Sequence, residues 1–400
     1  MAEMVRPMKK RVLVFCDFYL PGFKSGGGVW TVVNLVDRFC DRYDFFIVTR
    51  NYDSRTDTTP YDSVITGEWN TVGNAKVHYL DSACITKVKC ASLADEIAPD
   101  CVFLNSAFSE PVVKFLMARR DGITPKVPVV LAPCGEFSAG AMASKPFKKW
   151  LYLKYAKIAG LYSGVILKAS TDLEASEIRG LFGTEVEVMT APDLAPKAIL
   201  PNFSSSQKPE KKPGEAKFVF LSRVVPKKNL RFFLDRLRTI THGIVEFDIV
   251  GPLEDVKYWN DCASIIQGLP ENITVNVIGP VTYPTGLERL VASHFFALPT
   301  LNENFGYVFI ESLAAGTPIL ISDQTVWKDI ETSNCGLEIP LDDSSQWTKS
   351  ILQCIDMDAD EYRKMSFAAR NYALKWLSET NLDVATANVL TRAMGAETRN

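Results

Sequence analysis

Two glutamates, Glu303 and Glu311, bracket a run of small, aromatic and apolar residues in the stretch ENFGYVFIES. The stretch follows an apolar strand-like segment, and the run itself has the composition of a buried helix. A carboxylate at such a position can accept charge-assisted hydrogen bonds from sugar hydroxyls. The amides of Asn304, Phe305 and Gly306 would point at a ligand from the helix N-terminus. The alternatives are that Glu303 only neighbours an N-cap and that Glu311 is an exposed helix residue.

A guanidinium and an ammonium stand at the end of another predicted strand, in the stretch SRVVPKKNL. Arg223 closes the strand, Lys228 follows after a short loop, and Asn229 opens a helix. Two such cations beside a helix N-terminus can clamp a diphosphate. The alternative is a solvated basic turn. The position after a strand favours the clamp, because doubly wound sheets bind ligands beyond the carboxyl ends of their strands.

A third motif is the glycine run Gly26, Gly27 and Gly28 in SGGGVW, between a predicted strand and a predicted helix. Glycines let the backbone approach a ligand closely, and the helix start offers free amides to a phosphate. The spacing is not G-x-G-x-x-G, and no acidic residue stands at the ribose distance, which argues against a nicotinamide site. A flexible loop is the alternative.

Short apolar runs alternate with amphipathic stretches along the chain. The runs are uninterrupted, as expected for parallel strands buried on both faces. Their order predicts right-handed β–α–β units and doubly wound sheets. The predicted strands are 11–15, 45–49, 101–105, 127–133, 164–170, 217–223, 246–251, 273–279, 294–300 and 318–322.

The pattern breaks once, in a segment rich in Pro, Ser, Gly and charge, and then restarts. We therefore predict an α/β protein with two domains of similar size. Residues 1–203 form the first domain, residues 204–216 are a linker, and residues 217–378 form the second domain. The end of the chain, 379–400, is a helix that packs back on the first domain.

The bulk composition limits the classes of function. The net charge is −3, which argues against a general nucleic-acid binder. The 9 cysteines include no C-x-x-C pair, which indicates neither a disulfide framework nor a zinc site. No apolar run approaches the length of a membrane span. We expect a cytoplasmic protein.

Taken together, the basic pair and the Glu–seven–Glu motif resemble the family 4 retaining glycosyltransferases (group 1) of the GT-B fold. The stretches FLNSAFSEP, LAPCGEFSAGAM and SDQTVWKDI are also similar to bacterial members. The resemblance implies two Rossmann-like domains that face each other across a cleft, the first on the acceptor side and the second binding the nucleotide sugar.

The resemblance also implies roles for the motif residues. Glu311 would bind the ribose hydroxyls of the donor and Glu303 the transferred sugar, while Arg223 and Lys228 would hold the diphosphate. The glycine loop would meet the phosphates from the first domain.

The chain departs from the family on the acceptor side. Many relatives have a histidine after the middle strand of the first domain, where Asn105 and Ser106 stand here, and an arginine is expected at Cys134. These differences bear on the acceptor rather than on donor chemistry. Glu136, in CGEF, is a weaker candidate for acceptor contact.

The predicted activity is therefore transfer of a hexosyl group, with retention, from a nucleotide-diphosphate sugar to a glycan or lipid-linked glycan in bacterial surface polysaccharide synthesis. The alternatives are a nucleotide-sugar epimerase, a phosphorylase, for which no lysine–cofactor site is apparent, and a non-catalytic binding protein.

We expect neither a cofactor nor a metal. The spaced aspartates of DMDAD lack the glycine of an EF-hand and precede a helix, which indicates N-capping. The two cations and the amides can neutralise the diphosphate.

Residues 145–160 form a basic amphipathic segment. The apolar residues that share one helical face are Phe147, Trp150, Leu151, Tyr155 and Ile158. The segment either packs on the first domain or contacts anionic lipid at a membrane surface.

Overall fold

The structure is a computed structural model that describes residues 9–142, 146–183, 186–197, 199 and 208–395. The chain divides into two compact units. One comprises Met1–Lys197 with Asn381–Asn400, and the other comprises Ala198–Thr380. Each unit is built on its own mainly parallel sheet, as the α/β prediction requires.

The first unit contains an eight-stranded sheet in the order β10-β9-β8-β7-β1-β2-β6-β5, of which only β5 is antiparallel to its neighbour. A small antiparallel pair, β3 with β4, lies outside that sheet. The strands are β1 Lys10–Phe15, β2 Tyr43–Arg50, β3 Tyr52–Ser54, β4 Asp57–Pro60, β5 Trp69–Val72, β6 Ala75–Leu80, β7 Cys101–Asn105, β8 Val129–Ala132, β9 Val165–Ala169 and β10 Glu187–Thr190.

Helices connect these strands, as parallel neighbours require. They are α1 Gly27–Phe39, α2 Lys87–Ile97, α3 Glu110–Arg120, α4 Ala139–Met142, α5 Pro146–Ile158 and α6 Asp172–Phe182, with a 3-10 turn at Ser82–Cys84. Thr86 and Thr171 cap α2 and α6 through their side-chain oxygens. The core lies between the inner strands and these helices.

The second unit contains a six-stranded, wholly parallel sheet in the order β13-β12-β11-β14-β15-β16. Its strands are β11 Glu215–Leu221, β12 Ile244–Val250, β13 Ile273–Gly279, β14 Phe295–Leu298, β15 Ile319–Ser322 and β16 Gly336–Ile339. Its helices are α7 Leu230–Leu237, α8 Val256–Ile266, α9 Tyr283–Val291, α10 Tyr307–Ala314, α11 Ser344–Asp356 and α12 Ala359–Glu379, with a 3-10 turn at Pro226–Lys228.

The last helix, α13 (Leu382–Gly395), returns to the first unit, where it contacts β7 and β8. Arg38 of α1 pairs with Asp383 at the start of α13 (2.8 Å), and Arg392 pairs with Glu187 of β10 (2.8 Å). The buried side of α13 includes Leu390.

The segment predicted as a linker, 204–216, divides into two parts. Residues 204–207 lie outside the described residues. From residue 208 the chain packs on the second unit, and β11 already begins at Glu215. The Lys208 ammonium donates to the carbonyls of Leu290 (3.2 Å) and Ser293 (2.8 Å) at the end of α9. Lys211 donates in the same way to Ile355 at the end of α11 (2.9 Å).

The ammonium groups of these two lysines lie at helix C-termini, where a cation is favourable beside the free carbonyl groups. Burial lowers the pKa of both ammonium groups. The described part of the predicted linker is therefore an integral part of the second unit.

Among the described residues, every helix is too short or too polar to cross a bilayer.

Candidate active site

The second-unit motifs follow neighbouring strands. β11 and β14 pair directly, and β15 pairs with β14 on its other side. The loop after β11 carries Arg223 and Lys228, and the loop after β14 carries Glu303 to Gly306. A backbone hydrogen bond joins the two loops: the amide of Leu301 donates to the carbonyl of Lys227 (2.8 Å). Residues far apart in sequence therefore meet at one sheet edge.

Lys228 and Glu303 form an ion pair at this edge. The lysine side chain is 12% exposed and the glutamate side chain 13% exposed. Burial by itself would raise the pKa of Glu303, but the positive charges of Lys228, Lys227 and Arg223 outweigh it, and the pKa is lowered. The carboxylate is therefore ionised at neutral pH, with a cation bound to it.

Arg223 lies earlier in the loop after β11, just after the strand. Its guanidinium donates to Glu254, in the loop after β12 (2.8 Å), and 38% of its side chain is exposed. Glu254 was not among the predicted residues; its only signal is that it follows a strand in the stretch GPLEDV. The two predicted clamp residues are thus each paired with an acid, one partly exposed and one nearly buried.

The helix after Glu303 begins at a backbone turn that requires glycine. Gly306 is the N-cap of α10 and has φ 75°. A Cβ there would lie 2.5 Å from the ring of Phe309 and 2.9 Å from the Glu303 side chain. Asn304 is half-buried and Phe305 is buried. Gly306 therefore sets the start of α10 directly beside the Glu303 side chain.

Glu311 is the fifth residue of α10 and is only 6% exposed. Burial raises its pKa to about 7, and the neighbouring Tyr283 of α9 opposes this shift. The open alternative of an exposed helix residue is wrong. Burial therefore favours the protonated form of this carboxyl.

In the first unit, the glycine run opens α1. Gly26 is the N-cap, with φ 74°, and the helix starts at Gly27. The Asn105 side-chain amide donates to the carbonyl of Gly28 (3.0 Å). Asn105 is 3% exposed and also accepts from the Cys134 thiol (3.4 Å). The structure therefore places Asn105 under the glycine run, where it supports the loop.

The other two acceptor-side candidates contact each other. The Ser106 hydroxyl donates to Glu136 (2.7 Å), whose second oxygen accepts from the amide of Phe108 (3.0 Å). Burial raises the pKa of Glu136, and these two hydrogen bonds oppose it. Ser106 has φ 77°, so the chain turns sharply after β7. The pair joins the loops after β7 and β8.

Sequence reasoning missed a second acid at this edge. Glu174 of α6 accepts from the amides of Gly135 (2.6 Å) and Ser170 (2.7 Å). Beside it, Lys168 and Asp193 form a buried ion pair (2.8 Å). A glutamate in the first turn of a helix, as in STDLEASE, was the available signal.

The described residues contain no group of three or more His, Cys, Asp or Glu side chains arranged to hold a metal. In the DMDAD stretch, Asp358 is the N-cap of α12 and accepts from the amides of Asp360 and Glu361 (2.9 Å each). The prediction of N-capping is confirmed.

Comparison with known proteins places the site in a family. The family model described as glycosyl transferases group 1 matches residues 215–357, the part of the chain with every predicted second-unit site residue. Residues 215–357 are similar to the domain of group 1 glycosyl transferases. The resemblance identified from the motifs is confirmed for this domain.

A curated relative of this chain is the D-inositol 3-phosphate glycosyltransferase of Jonesia denitrificans. It is 25% identical over 224 residues, which cover 52% of this chain and 52% of the relative. The chain thus spans about half the length of the curated relative that it matches.

Solved structures are similar to nearly the whole chain, including the part outside residues 215–357. Sucrose-phosphate synthase from Thermosynechococcus elongatus has a TM-score of 0.74 at 13% identity, covering 97% of this chain and 100% of that one. Anabaena HepE in complex with UDP and glucose has a TM-score of 0.68 at 14% identity, covering 96% and 99%. WaaG, a glycosyltransferase involved in lipopolysaccharide biosynthesis, has a TM-score of 0.65 at 12% identity, covering 96% and 100%. The chain has the GT-B fold.

Proposed function

We propose that the protein transfers a hexosyl group, with retention, from a nucleotide-diphosphate sugar to a hydroxyl of a glycan or lipid-linked glycan acceptor. The observation that carries the proposal is the nearly buried Lys228–Glu303 pair at the strand ends of the segment that matches group 1 glycosyl transferases. A cation and a carboxylate held together can meet, respectively, the leaving diphosphate and the transferred sugar.

The proposed chemistry in the second unit is mainly electrostatic. Negative charge grows on the diphosphate oxygen as the bond to the sugar breaks, and fixed cations stabilise it. Arg223 and Lys228 supply two such cations, and the amides at the start of α10 add a positive dipole end. With Lys228 turned toward the diphosphate, Glu303 is released to accept hydrogen bonds from sugar hydroxyls.

The donor is proposed to be a nucleotide sugar because solved GT-B structures include HepE in complex with UDP-glucose. A thermal-shift screen of UDP, GDP and ADP tests this, since a bound ligand raises the melting temperature by mass action. We expect one diphosphate to raise the melting temperature of this chain. No shift with any of the three, at millimolar concentration, would contradict the proposed donor class.

Retention is tested on the product. In a retaining reaction the leaving phosphate can itself take the acceptor proton, so a side-chain base is not required. Proton NMR of the product formed from an α-linked donor should show an α-linkage. A β-linkage would contradict retention, and an isomerised free sugar with no acceptor product would indicate an epimerase. Tight diphosphate binding without turnover would indicate a non-catalytic binding protein.

Independence from metal is a further part of the proposal. The positive charges of Arg223 and Lys228 replace the cation that other sugar transferases hold beside the diphosphate. Nucleotide release should therefore continue in excess EDTA at the parental rate. A loss of activity that Mg²⁺ or Mn²⁺ restores would overturn this part.

The acceptor is proposed to be a surface polysaccharide or its lipid-linked precursor, by analogy with WaaG, and α5 supports work at a membrane surface. Its inner side packs into the first unit through Leu153 and Ala156. Its outer side exposes four large apolar side chains, which are Phe147 (71%), Trp150 (51%), Leu151 (54%) and Ile158 (84%). The face identified from the sequence thus points mainly outward.

Positive charge surrounds this face. The described range 146–160 contains four lysines and no acidic residue. Lys148 is exposed, and the Lys154 ammonium stands 4.5 Å from the centroid of the Trp150 ring. Aromatic rings with lysines around them fit the interface of an anionic bilayer, where each nearby lysine contributes about 1 kcal/mol.

Vesicle binding tests this surface. Co-sedimentation with vesicles containing phosphatidylglycerol should fall as salt rises, and Trp150→Ala with Lys154→Ala should weaken it at least tenfold. Leu173→Ala is the matched control, because Leu173 is 64% exposed in an acidic stretch. Equal binding of all variants, or self-association through α5 without lipid, would contradict a membrane role.

A further inference from the structure

The end of β15 and the segment after it, in the stretch SDQTVWKDI, run along the loop that carries Glu303. Three hydrogen bonds join them. The Ser322 hydroxyl donates to the carbonyl of Thr300 (2.5 Å), and the amide of Glu303 donates to the carbonyl of Gln324 (3.1 Å). The third bond comes from Trp327. The loop is therefore held along most of its length by one neighbouring segment.

Trp327 makes the bond nearest to the helix start. Its indole N–H donates to the carbonyl of Phe305 (2.8 Å), the residue before the Gly306 turn. Trp327 is 4% exposed and Phe305 is 5% exposed, so water does not readily replace this bond. A buried carbonyl that loses its donor pays its full desolvation penalty, which favours movement of the loop.

The Trp327 ring is itself fixed by packing. Its centroid lies 5.6 Å from the Phe305 ring and 5.4 Å from the Trp376 ring of α12. Trp376 also contacts the Phe305 ring, at 5.5 Å. The indole donor is thus held in place from a helix outside the motif loops, and it does not depend on a ligand for its position.

We infer that Trp327 is a positioning residue for the donor site, which rests on the proposed function. Its indole N–H holds the Phe305 carbonyl. Glu303 and the turn at Gly306, on either side of Phe305, therefore keep the positions in which they can contact the sugar and the phosphates. Trp327 acts through the loop and not by touching the transferred sugar or the diphosphate. Catalysis is sensitive to displacements of about 1 Å in such supporting loops.

The test compares Trp327→Phe with Trp376→Phe. Both variants replace an indole of the same aromatic cluster by a smaller ring, but only the first removes the bond to the loop. Hydrogen exchange followed by mass spectrometry should show faster exchange in peptides covering 300–310 for Trp327→Phe and not for Trp376→Phe.

In steady-state assays with UDP-glucose, GDP-mannose and ADP-glucose, the Trp327→Phe variant should lose about tenfold in kcat/KM, since one buried hydrogen bond is worth about 1.4 kcal/mol. The loss should fall mainly on kcat, because the sugar contact strengthens in the transition state. Trp376→Phe should stay within about twofold of the parent.

Three results would overturn the inference. The first is unchanged exchange at 300–310 in Trp327→Phe, the second is faster exchange there with parental kcat/KM, and the third is an equal loss of kcat/KM in Trp376→Phe. The exchange measurement needs no donor. It therefore decides whether Trp327 holds the loop even if the parent protein releases no nucleotide, a result that would count against the proposed function instead.

Discussion

Replacing the buried acid of α10 should make the protein more stable at alkaline pH while impairing its site. Glu311 has a pKa raised from 4.5 to about 7 because burial disfavours its charged form. The folded state therefore binds this proton more tightly than the unfolded state. The stability that results is fully present below pH 4.5 and is lost as the pH rises through 7.

The size of the effect follows from the shift. A difference between 4.5 and about 7 corresponds to about 3 kcal/mol, at 1.36 kcal/mol per pH unit. Most of it, about 2–3 kcal/mol, is lost between pH 5 and pH 8. Glu311→Gln keeps the shape of the side chain and does not titrate. Relative to the parent, it should therefore gain about 2–3 kcal/mol of unfolding free energy over that range.

Urea unfolding of parent and variant at pH 5, 6, 7 and 8 measures this difference, and all other titrating groups cancel in it. Glu303→Gln is the control of opposite sign. The pKa of Glu303 is lowered, so its contribution is present above its unfolded pKa and is lost as the pH falls. Glu303→Gln should therefore destabilise the protein at pH 8. A constant offset between Glu311→Gln and the parent at all four pH values would refute the reasoning.

The remaining predictions concern the diphosphate clamp, the two glutamates and the linker. Arg223→Ala and Lys228→Ala should each cost about 2–4 kcal/mol of transition-state stabilisation, and parental steady-state rates would contradict the clamp. Calorimetry with the diphosphate should show weaker binding for Glu311→Gln than for Glu303→Gln, whose turnover should instead slow; equal losses of binding would contradict this division of roles. Lys208→Ala should lower the unfolding free energy of the second unit by about 2–4 kcal/mol, because it strips the end of α9 of its donor; an unchanged thermal midpoint would contradict the capping role.

Most strands rich in buried apolar residues were predictable, but β6 was missed although five of its six residues are buried. All ten predicted runs overlap a strand, because each is rich in apolar and β-branched residues. The missed strands include β4 and β5, whose residues are half-buried or exposed, and the short edge strands β10 and β16. Their sequences carry no periodic apolar pattern, so only pairing with a neighbour defines them.

The site divides in the same way. Lys228 and Glu303 could be brought together from the rule that ligands bind beyond strand ends, before the order of the strands was known. The contacts of Tyr283 with Glu311 and of Trp327 with Phe305 could not be predicted, because no sequence motif links the elements that they join. The prediction of a linker failed at Lys208 for a related reason. The segment has the composition of a linker, and only the contact of the Lys208 ammonium group with the end of α9 explains why that group is enclosed.

The return of α13 to the first unit sets an order for synthesis on the ribosome. The second unit is complete once residue 380 has emerged, whereas β7 and β8 lack part of their cover until Leu390 and its neighbours have followed. The unit encoded first is thus the one finished last. A nascent chain stalled before residue 381 would display apolar surface on an otherwise folded sheet, which is the kind of surface that chaperones bind.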